Sequence, residues 1–216
     1  MIKKTKYKHL IFDFDGVLAE TNEIKFGGFQ DLLANYPQEE VKELLQYARK
    51  NGGLSCFAKL QYFFKTIRNE SIEESRLNEL ANEYSGAVKQ KVIFAKPVRG
   101  SMEFLISNRN RYDFAIVSGS FQPTLQEICA QRMIAHLFIE ILGSPVDKAS
   151  NLEILFSKTG WIKKQALFIG DSVNDYEAAT KTGIDFVGRF SGLEDWTKYQ
   201  GLRSIEDMTQ LEALLT

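Results

Sequence analysis

A short apolar run that ends in two acids constrains this chain more than any other feature. Residues 10–17 read LIFDFDGV, so Asp13 and Asp15 follow an apolar stretch and precede Gly16. Such a stretch is typical of a buried strand. Two carboxylates at the carboxyl end of a strand are costly to bury and repel each other. The pattern therefore indicates a cation between them, chemical work by the acids, or both; a pair of solvated turn acids is the simpler alternative.

Apolar runs of strand length alternate with segments of helical length along much of the chain. Strands are predicted at 9–14, 112–118, 137–142, 165–170 and 184–188. Helices are predicted at 99–109, 122–133, 148–159, 173–182 and 206–215. This alternation predicts an α/β fold, with a Rossmann-like parallel sheet covered by helices on both faces.

Residues 22–95 interrupt this alternation, because their apolar residues recur at helical spacing. About four amphipathic helices are predicted there, separated by Pro37 and by the Asn-Gly-Gly of residues 51–53. We expect residues 1–21 and 96–216 to form a core, and residues 22–95 to form an inserted helical cap domain. A plain helical extension packed on the sheet is the alternative.

Composition restricts the class of partner. The 216 residues carry a net charge of −1, which gives no sign of nucleic acid or an anionic membrane as partner. No stretch reaches transmembrane length, and the basic start lacks the apolar run of a signal peptide. We therefore expect a cytoplasmic protein with Cys56 and Cys129 as reduced thiols. The basic start, read as a solvated tail, contains Lys3, Lys4, Lys6 and Lys8.

A second apolar run ends in glycine and acids, LFIGDSVND at residues 167–175. Asp171 and Asp175 flank the start of the next predicted helix, where Ser172 is a candidate N-cap and acids suit the positive end of the helix dipole. Several oxygen ligands after an apolar strand also indicate Mg²⁺, which usually binds one or two carboxylates together with a substrate phosphate.

Two weaker features follow other predicted strands. Ser118-Gly119 offers a hydroxyl and backbone N–H groups to a phosphate oxygen, although a turn with Ser120 as N-cap explains it better when taken alone. Lys148 begins a predicted helix, where the dipole disfavours a cation, so a place beside carboxylates and phosphate would suit it. Taken alone, a solvated lysine is the ordinary explanation. Because ligands bind at the carboxyl ends of parallel strands, we expect all these features to share one edge of the sheet.

Taken in order, DFDGVL at 13–18, Ser118-Gly119, Lys148 and GDSVND at 170–175 resemble the four sequence motifs of the haloacid dehalogenase superfamily of phosphohydrolases. The motifs span nearly the whole chain. The helical insert resembles the α-helical cap of relatives such as phosphoglycolate phosphatase and β-phosphoglucomutase.

The resemblance implies a role for each acid. Asp13 would be the nucleophile that becomes phosphorylated. Asp15 would be the general acid and base, with its backbone carbonyl as a metal ligand. Asp171 would ligate Mg²⁺, and Asp175 would support the metal site directly or through another ligand.

The resemblance also assigns the phosphate-binding groups and identifies departures. Ser118 and the backbone of Gly119 would bind phosphoryl oxygens, and Lys148 would offset the charge of the nucleophile and the phosphoryl group. Lys25 stands where mutases of the β-phosphoglucomutase type carry a histidine, which argues against a mutase. Relatives often have Asp-Ser or Asp-Thr where this chain has Glu-Thr at residues 20–21.

A loop between cap helices usually selects the substrate in relatives of this kind. The best candidate is the segment 51–56, in which Gly52 and Gly53 permit close approach to a ligand and Ser55 adds a hydroxyl. A helix C-cap followed by a turn explains the glycines about as well. Lys25 and Lys59 are candidates to meet a polar or anionic leaving group, although single lysines on helices are more often solvated.

These observations favour a Mg²⁺-dependent phosphatase that hydrolyses a small phosphomonoester, either a sugar phosphate or a phosphoglycolate-like ester, through an aspartyl-phosphate. A phosphomutase of the β-phosphoglucomutase type is the nearest alternative. A phospho-accepting receiver-like signalling module and a binding protein that has lost catalysis are others. The expected partner is a small phosphorylated metabolite, bound by a monomer or a homodimer.

Overall fold

The computed structural model describes residues 6–215, so the predicted solvated positions of Lys3 and Lys4 lie outside it. Within this range, one parallel sheet of six strands has the order β3-β2-β1-β4-β5-β6. The strands are His9–Phe12 (β1), Asp113–Phe121 (β2), Glu140–Ser144 (β3), Ala166–Gly170 (β4), Asp185–Arg189 (β5) and Arg203–Ile205 (β6). The predicted α/β class with a Rossmann-like sheet is confirmed.

Helices precede or follow nearly every strand. Those before β2 are Asn22–Leu32 (α1), Gln38–Lys50 (α2), Cys56–Tyr62 (α3), Glu74–Ile93 (α4) and Ser101–Asn108 (α5). Those after it are Gln122–Gln131 (α6), Lys148–Thr159 (α7), Val173–Thr182 (α8) and Leu211–Leu215 (α9). A π-helical turn, Phe63–Ile67, continues α3. No helix within residues 6–215 is long and apolar enough to cross a bilayer.

The central strands are buried because their side chains alternate between two apolar clusters. Leu10 and Phe12 belong to a cluster that α5, α6 and α9 also supply, whereas Ile11 belongs to a second cluster beneath α7 and α8. Every residue of β1 and β4 is buried. This double burial explains why these strands read as continuous apolar runs.

The helices of residues 22–95 pack on one another and share the first apolar cluster with the sheet. The Phe29 ring of α1 stacks on the Tyr84 ring of α4, with centroids 4.4 Å apart. A Cβ on Gly28 would lie 2.4 Å from Val88 Cγ1, so the two helices approach closely. The predicted helical content of this segment is confirmed, and its separation as a domain stays a prediction.

Three elements in the second half of the chain differ from the sequence prediction. The strand predicted at 137–142 begins at Glu140, because residues 135–137 form a 3₁₀ turn. Strand β6 was missed, since its three residues at the sheet edge lack an apolar run. Much of the helix predicted at 206–215 is irregular: a 3₁₀ turn over residues 208–210 leads into the short α9.

The Phe168→Ala substitution tests the second cluster. Phe168 is fully buried and its ring packs edge-on against that of Phe186, with centroids 6.0 Å apart. We expect the free energy of unfolding, measured with urea, to fall by about 3–5 kcal/mol because the substitution opens a cavity. Phe94→Ala is the control, since Phe94 is 81% exposed and its loss should cost less than about 0.5 kcal/mol. Equal effects of the two substitutions would contradict this packing.

Candidate active site

The chain turns sharply after β1, and the turn gives the two acids of the first motif different surroundings. Gly16 adopts a φ of 70°, a left-handed conformation that other residues disfavour. Asp13 is buried, and its Oδ1 accepts a hydrogen bond from the next backbone N–H at 2.7 Å. The Asp15 carboxylate instead accepts hydrogen bonds from the hydroxyls of Thr21 and Ser120, both at 2.6 Å.

Asp13 lies beside two acids from the far end of the chain. Asp13, Asp171 and Asp175 are buried, and one carboxylate oxygen from each lies within 4.8 Å of the others. The cause is the pairing of β1 with β4, in which Phe12 stands opposite Ile169. Residues that follow these two strands therefore emerge side by side.

Lys148 supplies an ammonium to this acidic cluster. It is the first residue of α7 and is buried, with its Nζ 2.8 Å from Asp13 Oδ2 and in contact with Asp175. Burial alone would lower the pKa of Lys148, but the two carboxylates outweigh it and raise that pKa. Asp175 also accepts hydrogen bonds from the N–H and hydroxyl of Ser172, in a capping box that begins α8. Asp175 therefore both caps the start of α8 and belongs to the charged cluster, so both predicted roles apply to it.

The charge balance of the cluster fits a divalent cation. Burial and neighbouring carboxylates raise the pKa of Asp13 and Asp171, and Lys148 opposes this only at Asp13. Among the described residues, three buried carboxylates face one ammonium, so the cluster would carry two uncompensated negative charges with all three ionised, and the raised pKa values are the response to that repulsion. Hard carboxylate oxygens are the ligands that Mg²⁺ prefers, so this donor set fits Mg²⁺.

A polar network keeps Asp15 ionised. Burial acts to raise its pKa, but the Lys25 ammonium, 3.4 Å away, and the hydroxyls of Ser120 and Thr21 outweigh burial and lower that pKa. Lys25 Nζ also donates to Ser120 Oγ at 2.8 Å. Lys25, a predicted candidate to meet the leaving group, lines the cavity and also contacts Asp15. Ser120 belongs to the same network rather than capping α6, which begins at Gln122.

The predicted phosphate-binding residues lie against the glycine loop of the helical segment. Ser118 is buried at the end of the regular pairing of β2. A Cβ on Gly119 would lie only 2.4 Å from the carbonyl oxygen of Gly53. A Cβ on Gly53 would lie 2.5 Å from Ser172 Oγ and 3.1 Å from Lys148 Nζ. The loop therefore reaches over the acidic cluster, at an approach that only glycine permits.

Gly52 and Ser55, the other two loop residues predicted to select the substrate, form hydrogen bonds within the helical segment. The Gly52 carbonyl accepts a hydrogen bond from Lys59 Nζ at 2.9 Å. The Ser55 hydroxyl accepts a hydrogen bond from the Ala58 N–H and thereby caps the amino end of α3.

A cavity of about 230 Å³ lies between the helical segment and the edge of the sheet. Its floor contains Asp13, Asp15 and Asp171, next to Ser118 and Gly119. The rest of its wall is largely apolar and includes Phe26, Phe29, Phe57, Val88 and Ile128. The wall also contains Lys25, Gly52, Gly53, Cys56 and Lys59.

Two residues of the site were not predicted from the sequence. The Asn22 side chain donates to Asp171 Oδ2 at 2.8 Å, and no pattern in the sequence indicated this. Arg189 donates to the Gly16 carbonyl at 3.0 Å and forms a two-pronged ion pair with Glu20. Because Arg189 directly follows the strand predicted at 184–188, its position at the carboxyl end of a strand could have identified it as a residue of the site. This pair also gives the unusual Glu20 a structural role.

Comparisons with known proteins agree with this arrangement. A family model described as haloacid dehalogenase-like hydrolase matches residues 10–189. A phosphoglycolate phosphatase of Haemophilus influenzae is 29% identical over 195 residues, which cover 85% of this chain and 86% of that protein. A phosphoglycolate phosphatase of Pasteurella multocida is 25% identical over 194 residues, with the same coverage of both chains.

Solved structures share the fold over almost the whole length. A haloacid dehalogenase-like family hydrolase from Streptococcus pneumoniae superposes with a TM-score of 0.76 at 19% identity, covering 98% of this chain and 99% of its own. CbbY from Rhodobacter sphaeroides, in complex with phosphate, superposes with a TM-score of 0.77 at 16% identity, covering 95% and 96%.

Gly16→Ala tests the tightness of the turn between the two acids. The new Cβ would lie 2.0 Å from Asp171 Oδ2, in addition to the strain of a φ of 70°. Gly160→Ala is a matched control, because its φ is 68° but nothing lies within 4 Å of the new Cβ. We expect urea unfolding to show a loss for Gly16→Ala that exceeds the control by about 1–3 kcal/mol. Equal losses would show that the turn does not press on Asp171.

Proposed function

This chain belongs to the family of haloacid dehalogenase-like hydrolases and is a hydrolase of the phosphatase type; we propose that it hydrolyses a small phosphomonoester in a Mg²⁺-dependent reaction through phosphorylated Asp13. The observation that carries the proposal is the buried cluster of Asp13, Asp171 and Asp175 beside Lys148, on the floor of a cavity. A carboxylate can attack phosphorus to form an acyl phosphate, and the surrounding charges suit that step.

Asp13 would form the new bond to phosphorus as the bond from phosphorus to the alcohol oxygen breaks. Ser118 and the backbone N–H of Gly119 would orient the phosphoryl oxygens. The Lys148 ammonium, already 2.8 Å from Asp13, would offset the negative charge that the nucleophile and the phosphoryl group bring together. Water would then attack phosphorus, release inorganic phosphate and restore the Asp13 carboxylate.

Asp15 would give a proton to the departing alcohol oxygen and later accept one from the attacking water. Lys25, Thr21 and Ser120 stabilise its ionised form in the described arrangement. Since a carboxylate can donate a proton only after it has gained one, Asp15 must release part of this network when substrate enters.

The metal would be held by the carboxylates of Asp13 and Asp171 and the backbone carbonyl of Asp15, with Asp175 as a direct or indirect support. When bound, Mg²⁺ supplies positive charge that screens the phosphoryl oxygens from the attacking carboxylate.

We further propose that residues 22–95 act as a cap domain on a core formed by residues 1–21 and 96–216. Support comes from the loop of Gly52 and Gly53, which lies over the acidic cluster, and from the cavity between the two parts. A closed cap excludes bulk water and suits a small substrate, such as a sugar phosphate or a phosphoglycolate-like ester. The phosphoglycolate phosphatase relatives support the latter class. We expect a cytoplasmic monomer or homodimer, in keeping with free thiols at Cys56 and Cys129.

Asp13→Asn tests the nucleophile. Hydrolysis of p-nitrophenyl phosphate in the presence of Mg²⁺ is expected to fall by at least about 10³-fold, because the amide cannot form the acyl phosphate. EDTA should stop the wild-type reaction, and added Mg²⁺ should restore it. Asp31→Asn, at an exposed acid paired with Lys91 on the helical segment, is the control and should keep full activity. Activity in Asp13→Asn, or activity that survives chelation, would count against the mechanism.

Asp15→Asn separates proton transfer from metal binding. We expect Mg²⁺ binding, followed by isothermal titration calorimetry, to persist because the backbone carbonyl is unchanged. Hydrolysis should fall by about 10²–10⁴-fold, which is the usual worth of a general acid and base. Near wild-type turnover would remove Asp15 from this role.

A further inference from the structure

One buried cation in the cavity forms no ion pair with any acid among residues 6–215. Lys59 lies on α3, is 6% exposed and lines the cavity. Its Nζ donates one hydrogen bond, to the Gly52 carbonyl at 2.9 Å. Among the ion pairs of residues 6–215, no carboxylate oxygen lies within 4.0 Å of this ammonium.

The other cations near the site are matched to acids. Lys148 contacts Asp13 and Asp175, and Lys25 lies 3.4 Å from Asp15. Burying an ammonium without a carboxylate or a full set of hydrogen bonds is unfavourable, since its hydration is lost and not replaced. In keeping with this, burial lowers the pKa of Lys59 to about 8.

The position of Lys59 shows which part of a ligand it can reach. The side chain comes from the helical segment, donates to the glycine loop at the Gly52 carbonyl, and lines the same cavity as Asp13 and Asp171. Apolar side chains, among them Phe26 and Phe57, form much of the wall around it. A phosphoryl group on Asp13 would already have Lys148 and Ser118 beside it, so Lys59 is free for the alcohol portion.

We propose that Lys59 binds a second anionic group, a carboxylate or a phosphate, carried by the alcohol portion of the substrate. This inference rests on the proposed phosphatase function and narrows it to esters whose leaving alcohol is itself charged. A neutral sugar phosphate would leave the buried ammonium without a partner. A charge-assisted hydrogen bond in this dry site would give selectivity between otherwise similar esters.

Two matched pairs of esters test the inference and distinguish the two anions. Phosphoglycolate and 2-hydroxyethyl phosphate differ in a carboxylate, and propane-1,3-diol bisphosphate and 3-hydroxypropyl phosphate differ in a phosphate. Release of inorganic phosphate is measured for the wild type, Lys59→Met and Lys59→Arg. Lys65→Met, at an exposed lysine just after α3, is the control.

We expect the wild type to prefer, in one pair, the ester whose alcohol portion carries the additional anionic group, by about 10- to 100-fold in kcat/KM, the range for a hydrogen bond to a charged group. Lys59→Met should lose this preference chiefly through a higher KM for that ester, with little change for the ester whose alcohol portion is neutral. Lys59→Arg should retain part of it, and Lys65→Met all of it. The pair that shows the preference identifies the anion.

A wild type with no preference in either pair, but with activity on p-nitrophenyl phosphate, would overturn the inference and leave the proposed function intact. An equal loss on both members of a pair in Lys59→Met would also overturn it, since Lys59 would then act only through packing. Failure of the wild type to hydrolyse both p-nitrophenyl phosphate and every one of these esters would overturn the proposed function and the inference together.

Discussion

Mutual repulsion of buried carboxylates is the constraint on which the rest of this structure depends. Asp13, Asp171 and Asp175 share a space less than 5 Å across, with one ammonium from Lys148 among them. Such a group is unfavourable in a buried setting unless further positive charge joins it. The fold nevertheless brings the three acids together. Asp13 and Asp171 follow the paired strands β1 and β4, and Asp175 lies in the first turn of α8, the helix that comes after β4. With all three acids ionised, the cluster would carry two uncompensated negative charges, which is the balance that suits a divalent cation.

The turn after β1 gives two chemically identical side chains different properties. Asp13 faces other acids, whereas Asp15 faces the ammonium of Lys25 and two hydroxyls, so the pKa shifts of the two carboxyls have opposite signs. The left-handed Gly16 makes this separation possible within three residues. Arg189 stabilises the turn, because its guanidinium donates to the Gly16 carbonyl and forms an ion pair with Glu20. The proposed division of labour between nucleophile and acid–base therefore depends on local backbone geometry.

The helical segment of residues 22–95 forms the part of the cavity wall that faces the strand ends. A Cβ on Gly119 would lie 2.4 Å from the Gly53 carbonyl oxygen and one on Gly53 would lie 2.5 Å from Ser172 Oγ, so the loop and the strand ends fit closely. The same segment supplies the aromatic walls of the cavity and Lys59, which forms no ion pair within the described part of the chain. The chemistry of phosphoryl transfer requires neither feature. In this arrangement the sheet edge would determine the reaction, and the helical segment would determine which ester is accepted.

The sequence by itself determined the α/β class, the four helices of residues 22–95 and the set of acids that follow the strands, because burial on both faces and helical spacing leave strong local patterns. The three-residue β6 and the displaced start of β3 escaped prediction, because short edge pairing has no such pattern. The contacts of Asn22, Lys25, Ser120 and Arg189 were decided by the tertiary structure alone. Each joins positions far apart in the chain, and a polar residue viewed alone gives no sign of whether its partner is water or a buried carboxylate. The burial of Lys59 follows the same rule, since only packing of distant helices removes a lysine from water.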